Sequence, residues 1–128
     1  MINFSDDIFK IDVVVPPDLS VEADLELIEQ VIINLIQNSL EAMQETADRR
    51  LSLTASGNES GQVQITVTDN GPGISGEVLE KIFLPFYSTK TNKSGIGLSL
   101  SQQIMMHHNA RLEVRSEPGK GATFTLVF

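Results

Sequence analysis

Two pairs of β-rich runs, each pair joined by a glycine-containing turn, do most to limit what this chain can fold into. Arg50–Ser56 and Gln62–Asp69 flank Gly57-Asn58-Glu59-Ser60-Gly61, and Arg111–Ser116 and Ala122–Phe128 flank Glu117-Pro118-Gly119-Lys120-Gly121. Turns this short join antiparallel neighbours. The chain is therefore committed to a sheet, and Val63, Ile65 and Val67, alternating with polar residues, give that sheet a buried face. Lys10–Val15 adds a strand, stopped by Pro16-Pro17, which can continue neither a ladder nor a helix. The cover for the buried face is helical. Asp24 is the expected N-cap of a long helix reaching about Thr46. A short helix is expected over Gly76–Ile82, then an irregular stretch, then a helix from about Gly97 to His108 closed by a left-handed Asn109. The order predicts an α+β fold, a two-layer α/β sandwich with a mostly antiparallel mixed sheet and helices on one face. Without a linker, repeat or low-complexity tract, residues 1–128 read as one domain.

Charge narrows the function. Seventeen acidic side chains against nine basic ones give a net charge of −8, and the pI is about 4.6. Such a balance argues against non-specific nucleic-acid binding. The absence of cysteine excludes a disulfide framework and cysteine-based zinc sites, and fits a cytosolic setting. No apolar run is long enough for a membrane helix, so no membrane contact is expected of this domain. The acid is unevenly placed. Residues 1–80 hold 15 acids and 3 bases, whereas residues 81–112 hold no acid and carry Lys81, Lys90, Lys93 and Arg111. That is either a solvated surface or room made for an anion.

Along the long helix, Ile28, Ile32, Leu35, Ile36, Ala42 and Met43 spread over an apolar arc, with Gln30, Asn34, Asn38 and Glu41 in a stripe at its edge. Asparagine is a mediocre helix former. Two of them one turn apart are either a polar boundary row or a carboxamide pair able to ligate a hard cation and donate to phosphate.

Gly71-Pro72-Gly73-Ile74-Ser75-Gly76 spells GxGxxG after a strand, but the dinucleotide fingerprint also needs an acid about 20 residues on and alternating βαβ units. Both are missing. What precedes the glycines is more informative. Asp69 ends an alternating strand, where its carboxylate either accepts from an exocyclic amine such as that of adenine or closes an Asx-type turn. Further on, Gly95-Ile96-Gly97 opens a helix, and a helix N-terminus behind glycines is a ready anion site. Lys90 can meet the same anion as a point charge. No P-loop sequence occurs.

Taken together and in order, these segments resemble the catalytic, ATP-binding domain of bacterial sensor histidine kinases, within the superfamily that includes gyrase-type and mismatch-repair ATPases. Gln30–Ala42, containing Asn34 and Asn38, is similar to its asparagine box. Asp69-Asn70-Gly71-Pro72-Gly73-Ile74 is similar to its first glycine box, Ile82–Lys90 to its phenylalanine box, and Gly95-Ile96-Gly97-Leu98-Ser99-Leu100-Ser101 to its second glycine box. Gly119-Lys120-Gly121-Ala122-Thr123-Phe124 is similar to its closing hairpin.

The resemblance implies a Bergerat-type fold with ATP between the helices and a lid over about residues 84–95. It implies that Asn38 coordinates Mg²⁺ and Asn34 positions phosphate or a metal-bound water. Asp69 would take the adenine amine, Gly71 and Gly73 would let the base close in, and Ile74 would pack on it. Lys90 would reach the phosphates from the lid, and Gly95, Gly97 and Leu98 would present backbone N–H groups to them. Ala122 stands where many relatives have threonine, which leaves Thr123 as the neighbouring hydroxyl for the base. The implied activity is transfer of the ATP γ-phosphoryl group to a histidine on a separate dimerisation domain, with a response regulator downstream. That phosphoacceptor domain is expected to be absent here, because only His107 and His108 are histidines and they end a helix. The isolated domain would then turn over little, and its parent protein would be soluble or membrane-anchored. A stand-alone serine kinase of the same superfamily, sequestering a transcription factor, and a nucleotide-binding module without transferase activity are the other readings.

Overall fold

A computed structural model of the chain describes residues 9–16, 19–84 and 97–128. The elements are β1 (Phe9–Val14), α1 (Leu25–Ala42), β2 (Arg49–Gly57), β3 (Val63–Asp69), α2 (Gly76–Leu79), α3 (Gly97–His107), β4 (Arg111–Ser116) and β5 (Ala122–Val127). They form a five-stranded sheet in the order β1-β2-β3-β5-β4. β1 runs parallel to β2, with α1 as the crossover, and the remaining pairs are antiparallel. Both expected hairpins form, β2–β3 directly and β4–β5 at the sheet's other end.

Register decides what each face carries. Val67 stands opposite Phe124 and Leu112 opposite Leu126, and Leu51 of β2 lies on the same face, two places from the register partner of Val67. These five are buried, and they pack with Ile28, Val31, Leu35 and Met43 of the α1 region and Ile104 and Met105 of α3. The reverse face is polar. Thr66 pairs with Thr125 and Thr68 with Thr123, their hydroxyls 3.5 and 3.3 Å apart. The sandwich has two layers because only one face of the sheet is apolar.

The helix ends follow local chemistry. Asp24 caps α1 through its carboxylate, which accepts from Leu27 N–H at 3.2 Å. His108 reinforces the same corner, since its Nε2 accepts from Asp24 N–H at 3.0 Å while its Nδ1 is 2.8 Å from Ile104 O. Within α1 the buried centre of the apolar arc is Ile28, Val31, Leu35 and Ser39, with Ile32 and Ile36 half-buried at its edge. The helix stops at Ala42, four residues before the expected Thr46. Met43 N–H already bonds the Ser39 and Leu40 carbonyls, Thr46 N–H turns back to Met43, and Arg49 donates to the Gln44 and Thr46 carbonyls. The chain beyond Ala42 is thus satisfied outside the helix. α2 is likewise shorter than expected, ending at Leu79, after which single turns lead to Leu84. α3 ends as expected. Asn109 sits at φ +53°, Ala110 N–H reaches Met105 O and Asn109 N–H reaches Met106 O, a Schellman closure.

Candidate functional site

The expected residues gather where the C-terminal end of β3 meets α1 and α3. Asp69 is the last residue of β3 and follows Val67 on the helix-facing side, so strand alternation turns its carboxylate inward. It is 4% exposed. Oδ1 accepts from Gly71 N–H at 2.9 Å, which is the Asx-type turn. That bond does not exhaust the group, because a carboxylate has about four acceptor positions. Burial pushes the Asp69 carboxyl above the usual range, and the Gly71 N–H, the Ser39 hydroxyl and the Ala122 N–H oppose that rise. A buried carboxylate of this kind, at the end of the central strand, is suited to accept from a ligand donor.

Turn glycines hold it there, by a route the sequence did not reveal. The missing side chains of the first glycine box give way to protein rather than visibly to a base. A β-carbon on Gly71 would lie 3.0 Å from Asp69 Oδ1 and 3.3 Å from Met43 Cγ. Gly73 has φ +79°, and a β-carbon there would lie 2.1 Å from Glu117 O in the β4–β5 turn. Gly121 returns the contact, since at φ +77° its β-carbon would come within 2.0 Å of Asp69 O. The two glycine turns are thus interlocked, with Gly119 N–H bonded to Pro72 O at 2.6 Å and Ser116 Oγ bridging Ile74 N–H and Gly121 O at 2.7 Å each. Asn70 does not bond its own turn. It bridges to β2, accepting from Arg50 N–H at 2.8 Å and donating to Asp48 O at 2.9 Å. Ser116 carried no local signal and Gly121 only that of a turn glycine, because their contacts lie with a turn more than 40 residues away in the chain.

The asparagine stripe faces α3. Asn34 Nδ2 donates to Ser101 Oγ at 3.4 Å, and a β-carbon on Gly97 would lie 4.0 Å from Asn34 Cγ. The first turn of α3, with the backbone N–H groups of Gly97 and Leu98, therefore stands beside Asn34. That turn contains no acid. Asn38 is one turn further along α1 toward Ser39 and the Asp69 corner. Ile74 is half-buried against the core. Lys90, Gly95 and the expected lid beyond Leu84 lie outside the described residues.

Thr123 does not join this group. Ala122 is the residue opposite Asp69, and Thr123, one place on, points to the other face of the sheet, where its hydroxyl meets that of Thr68. Thr123 is thus corrected to a sheet-face residue, because a one-residue step along a strand reverses the side chain.

The chemistry of the site suits an anionic nucleotide. Among the described residues, no group of three or more His, Cys, Asp or Glu side chains could hold a metal ion. A hard cation here would rest on the Asn38 carboxamide and ligand phosphates, a sparse protein donor set that fits Mg²⁺. Among the described residues, no helix is long and apolar enough to cross a membrane.

Residues 23–128 match the family described as histidine kinase-, DNA gyrase B-, and HSP90-like ATPase. The chain belongs to that family. This histidine kinase-type ATP-binding domain is 39% identical over 107 residues to the signal transduction histidine-protein kinase AtoS of Escherichia coli (strain K12), covering 84% of this chain and 17% of AtoS. It superposes on the catalytic domain of histidine kinase ThkA with a TM-score of 0.78 and 34% identity, covering 92% of this chain and 78% of that one. It also superposes on full-length ShkA in complex with AMPPNP with a TM-score of 0.80 and 28% identity, covering 93% of this chain and 25% of that one. The domain spans about a fifth of the length of the curated sensor kinases it matches, 17% of AtoS and 22% of the Salmonella typhi sensor kinase ZraS.

Proposed function

We propose that this domain binds ATP with Mg²⁺ and delivers the γ-phosphoryl group to a histidine on a dimerisation domain, as the catalytic module of a two-component sensor kinase acting on a response regulator. The observation that carries the reading is the pairing of a buried, inward-facing Asp69 with an asparagine stripe that confronts the acid-free N-terminus of α3. One end takes a base and the other takes phosphate. ShkA, a similar protein, is known in complex with AMPPNP, which supports nucleotide binding.

In this reading Asp69 accepts from the adenine amine, with Ile74 beside the base and Gly71 and Gly73 shaping the turn beneath it. Asn38 supplies a carboxamide oxygen to the metal, and Asn34, steadied by Ser101, orients phosphate. Backbone N–H groups of Gly97 and Leu98, together with Gly95 and Lys90 in the acid-free stretch, meet the phosphate charge. When bound, Mg²⁺ neutralises charge on the phosphates. The domain's contribution is therefore positioning and charge compensation, and the acceptor with its base comes from the partner domain. The reading places the domain in the cytoplasm, attached to a parent protein that senses the signal.

The decisive experiment incubates the domain with radiolabelled ATP, Mg²⁺ and candidate dimerisation domains, then tests the label for acid lability. Acid-labile label on the partner is expected, since phosphohistidine is acid-labile. Acid-stable label would identify a serine kinase instead, and ATP binding without transfer to any candidate would identify a nucleotide-binding module.

A further inference from the structure

β4 is an edge strand: it pairs with β5 on one side, and among the described residues no strand pairs with its other side. An open edge offers backbone N–H and C=O groups to another strand, and proteins commonly blunt it with charge. The charges on this edge do not repel uniformly. Arg111, Glu113 and Arg115 are all exposed and alternate along the reverse face of the sheet, beside Thr125 and Thr123. Arg111 Nε donates to Glu113 Oε2 at 2.7 Å, whereas Arg115 has no hydrogen-bond or ion-pair partner among the described residues. Residues 111–120 hold three bases and two acids, so this edge lacks the excess acid that keeps copies of the chain apart elsewhere.

The other face of the same edge is apolar. Val114 follows Leu112 on the helix side, stands opposite Phe124 and is half-buried. α3 packs against β4, and its Met106 is 65% exposed. Met106 sits about 140° and 160° round the helix from Ser101 and His108, the residues that contact α1. It therefore projects from the flank of α3 turned away from α1, over the open edge.

We propose that the β4 edge is a self-association surface, on which a second copy of this chain lays its own β4 antiparallel across a two-fold axis at Val114. Charge sets the register. With Val114 opposite Val114, each Glu113 faces Arg115 of the other copy, so the unpartnered cation gains a carboxylate twice over. A shift of two residues sets Glu113 against Glu113 or Arg115 against Arg115, and a shift of one sends side chains to the wrong face. On the helix side the two Met106 side chains close over the paired Val114 side chains, and the helical layers of the two copies become continuous. The seam is short, so it forms at about millimolar concentration, the range that a tether between two domains supplies. Nothing in this contact depends on bound nucleotide.

Sedimentation equilibrium of the 128-residue chain tests it. At about 1 mM the weight-average mass should be about 1.5-fold that of one chain, as when half the chains are paired, and should fall to 14.0 kDa on dilution. Glu113→Arg leaves only cations at the two facing positions and Arg115→Glu only carboxylates, so each variant alone should stay at 14.0 kDa. Mixed in equal amounts the two variants should associate, because each cation again faces a carboxylate. Both positions are exposed, so unfolding midpoints should stay close to that of wild type. Met106→Glu, on another element, should weaken association while leaving β4 unchanged. The proposal is overturned if wild type keeps its single-chain mass at about 1 mM, or if either charge variant alone associates as wild type does. It is equally overturned if the mixture of folded variants does not associate, or if Met106→Glu associates as strongly as wild type.

Discussion

Replacing Asp69 with asparagine keeps the shape of the side chain and removes one acceptor and the charge. In the folded protein the carboxylate is 4% exposed and accepts from Gly71 N–H. The asparagine oxygen can keep that bond. Its amide nitrogen then stands where the second carboxylate oxygen stood and brings one more donor to a group that already takes the Ala122 N–H and the Ser39 hydroxyl, at a cost of about 1 kcal/mol. Against this, the variant no longer buries an ionised group whose proton affinity burial has raised. The two effects oppose each other, so stability without ligand near neutral pH should stay within about 1 kcal/mol of wild type. ATP binding should respond far more. A hydrogen bond to a charged acceptor contributes roughly 1.5–3 kcal/mol, so the dissociation constant should rise between about tenfold and a hundredfold. Calorimetric titration with Mg–ATP, paired with urea unfolding of the same samples, reads both quantities. Unchanged ATP affinity in a folded variant would refute the adenine assignment. So would a loss of affinity that merely tracks a loss of fold. The pH dependence gives an independent check of sign. Because the folded carboxyl holds its proton more tightly than the unfolded one, wild type gains stability as pH falls from above its raised value toward the ordinary carboxylate range. The asparagine variant lacks that gain, so the difference between the two proteins should move in favour of wild type on acidification.

Three further outcomes follow from the geometry. Gly121→Ala should destabilise the domain severely, by about 3 kcal/mol or more, because its β-carbon would lie 2.0 Å from Asp69 O at φ +77°. Gly119→Ala, at φ +81° with nothing within 4 Å, should cost only about 1 kcal/mol in the same urea series, and equal losses would show that space is not the cause. Asp24→Ala and His108→Ala should each cost about 1 kcal/mol, through a lost cap and a lost bond to Asp24 N–H. Because both act at one corner, the double variant should lose less than the sum, and strict additivity in a double-mutant cycle would contradict the shared contact. Asn38→Asp should change the Mg²⁺ dependence of ATP binding while leaving the unfolding midpoint nearly unmoved. An unchanged Mg²⁺ response with weakened ATP binding would remove Asn38 from the metal.

Residue order alone was enough to place both hairpins, the Asp24 cap, the Asn109 closure and the layer arrangement, because each depends on period, turn chemistry or capping over a few neighbouring residues. The same holds for the asparagine stripe, which helical spacing puts on one side of α1, and for Asp69 as the residue that ends an inward-facing alternation. Helix ends were less legible. α1 stops at Ala42 because Arg49 and the 43–46 turn satisfy the backbone beyond it, an arrangement that requires β2 to be in place.

Contacts between distant segments were not legible at all. Gly73 and Gly121 are required by each other's turns, Ser116 ties those turns together, and His108 reaches back 84 positions to Asp24. Thr123 looked interchangeable with Ala122 until the pairing of β3 with β5 put Ala122 opposite Asp69 and sent the threonine hydroxyl to the other face. Ser39, which helical spacing did not single out, is placed by packing in the middle of the buried stripe. Short-range periodicity says which chemical groups share an element and a side. Sheet register and helix docking, set by burial over the whole domain, say which of those groups meet.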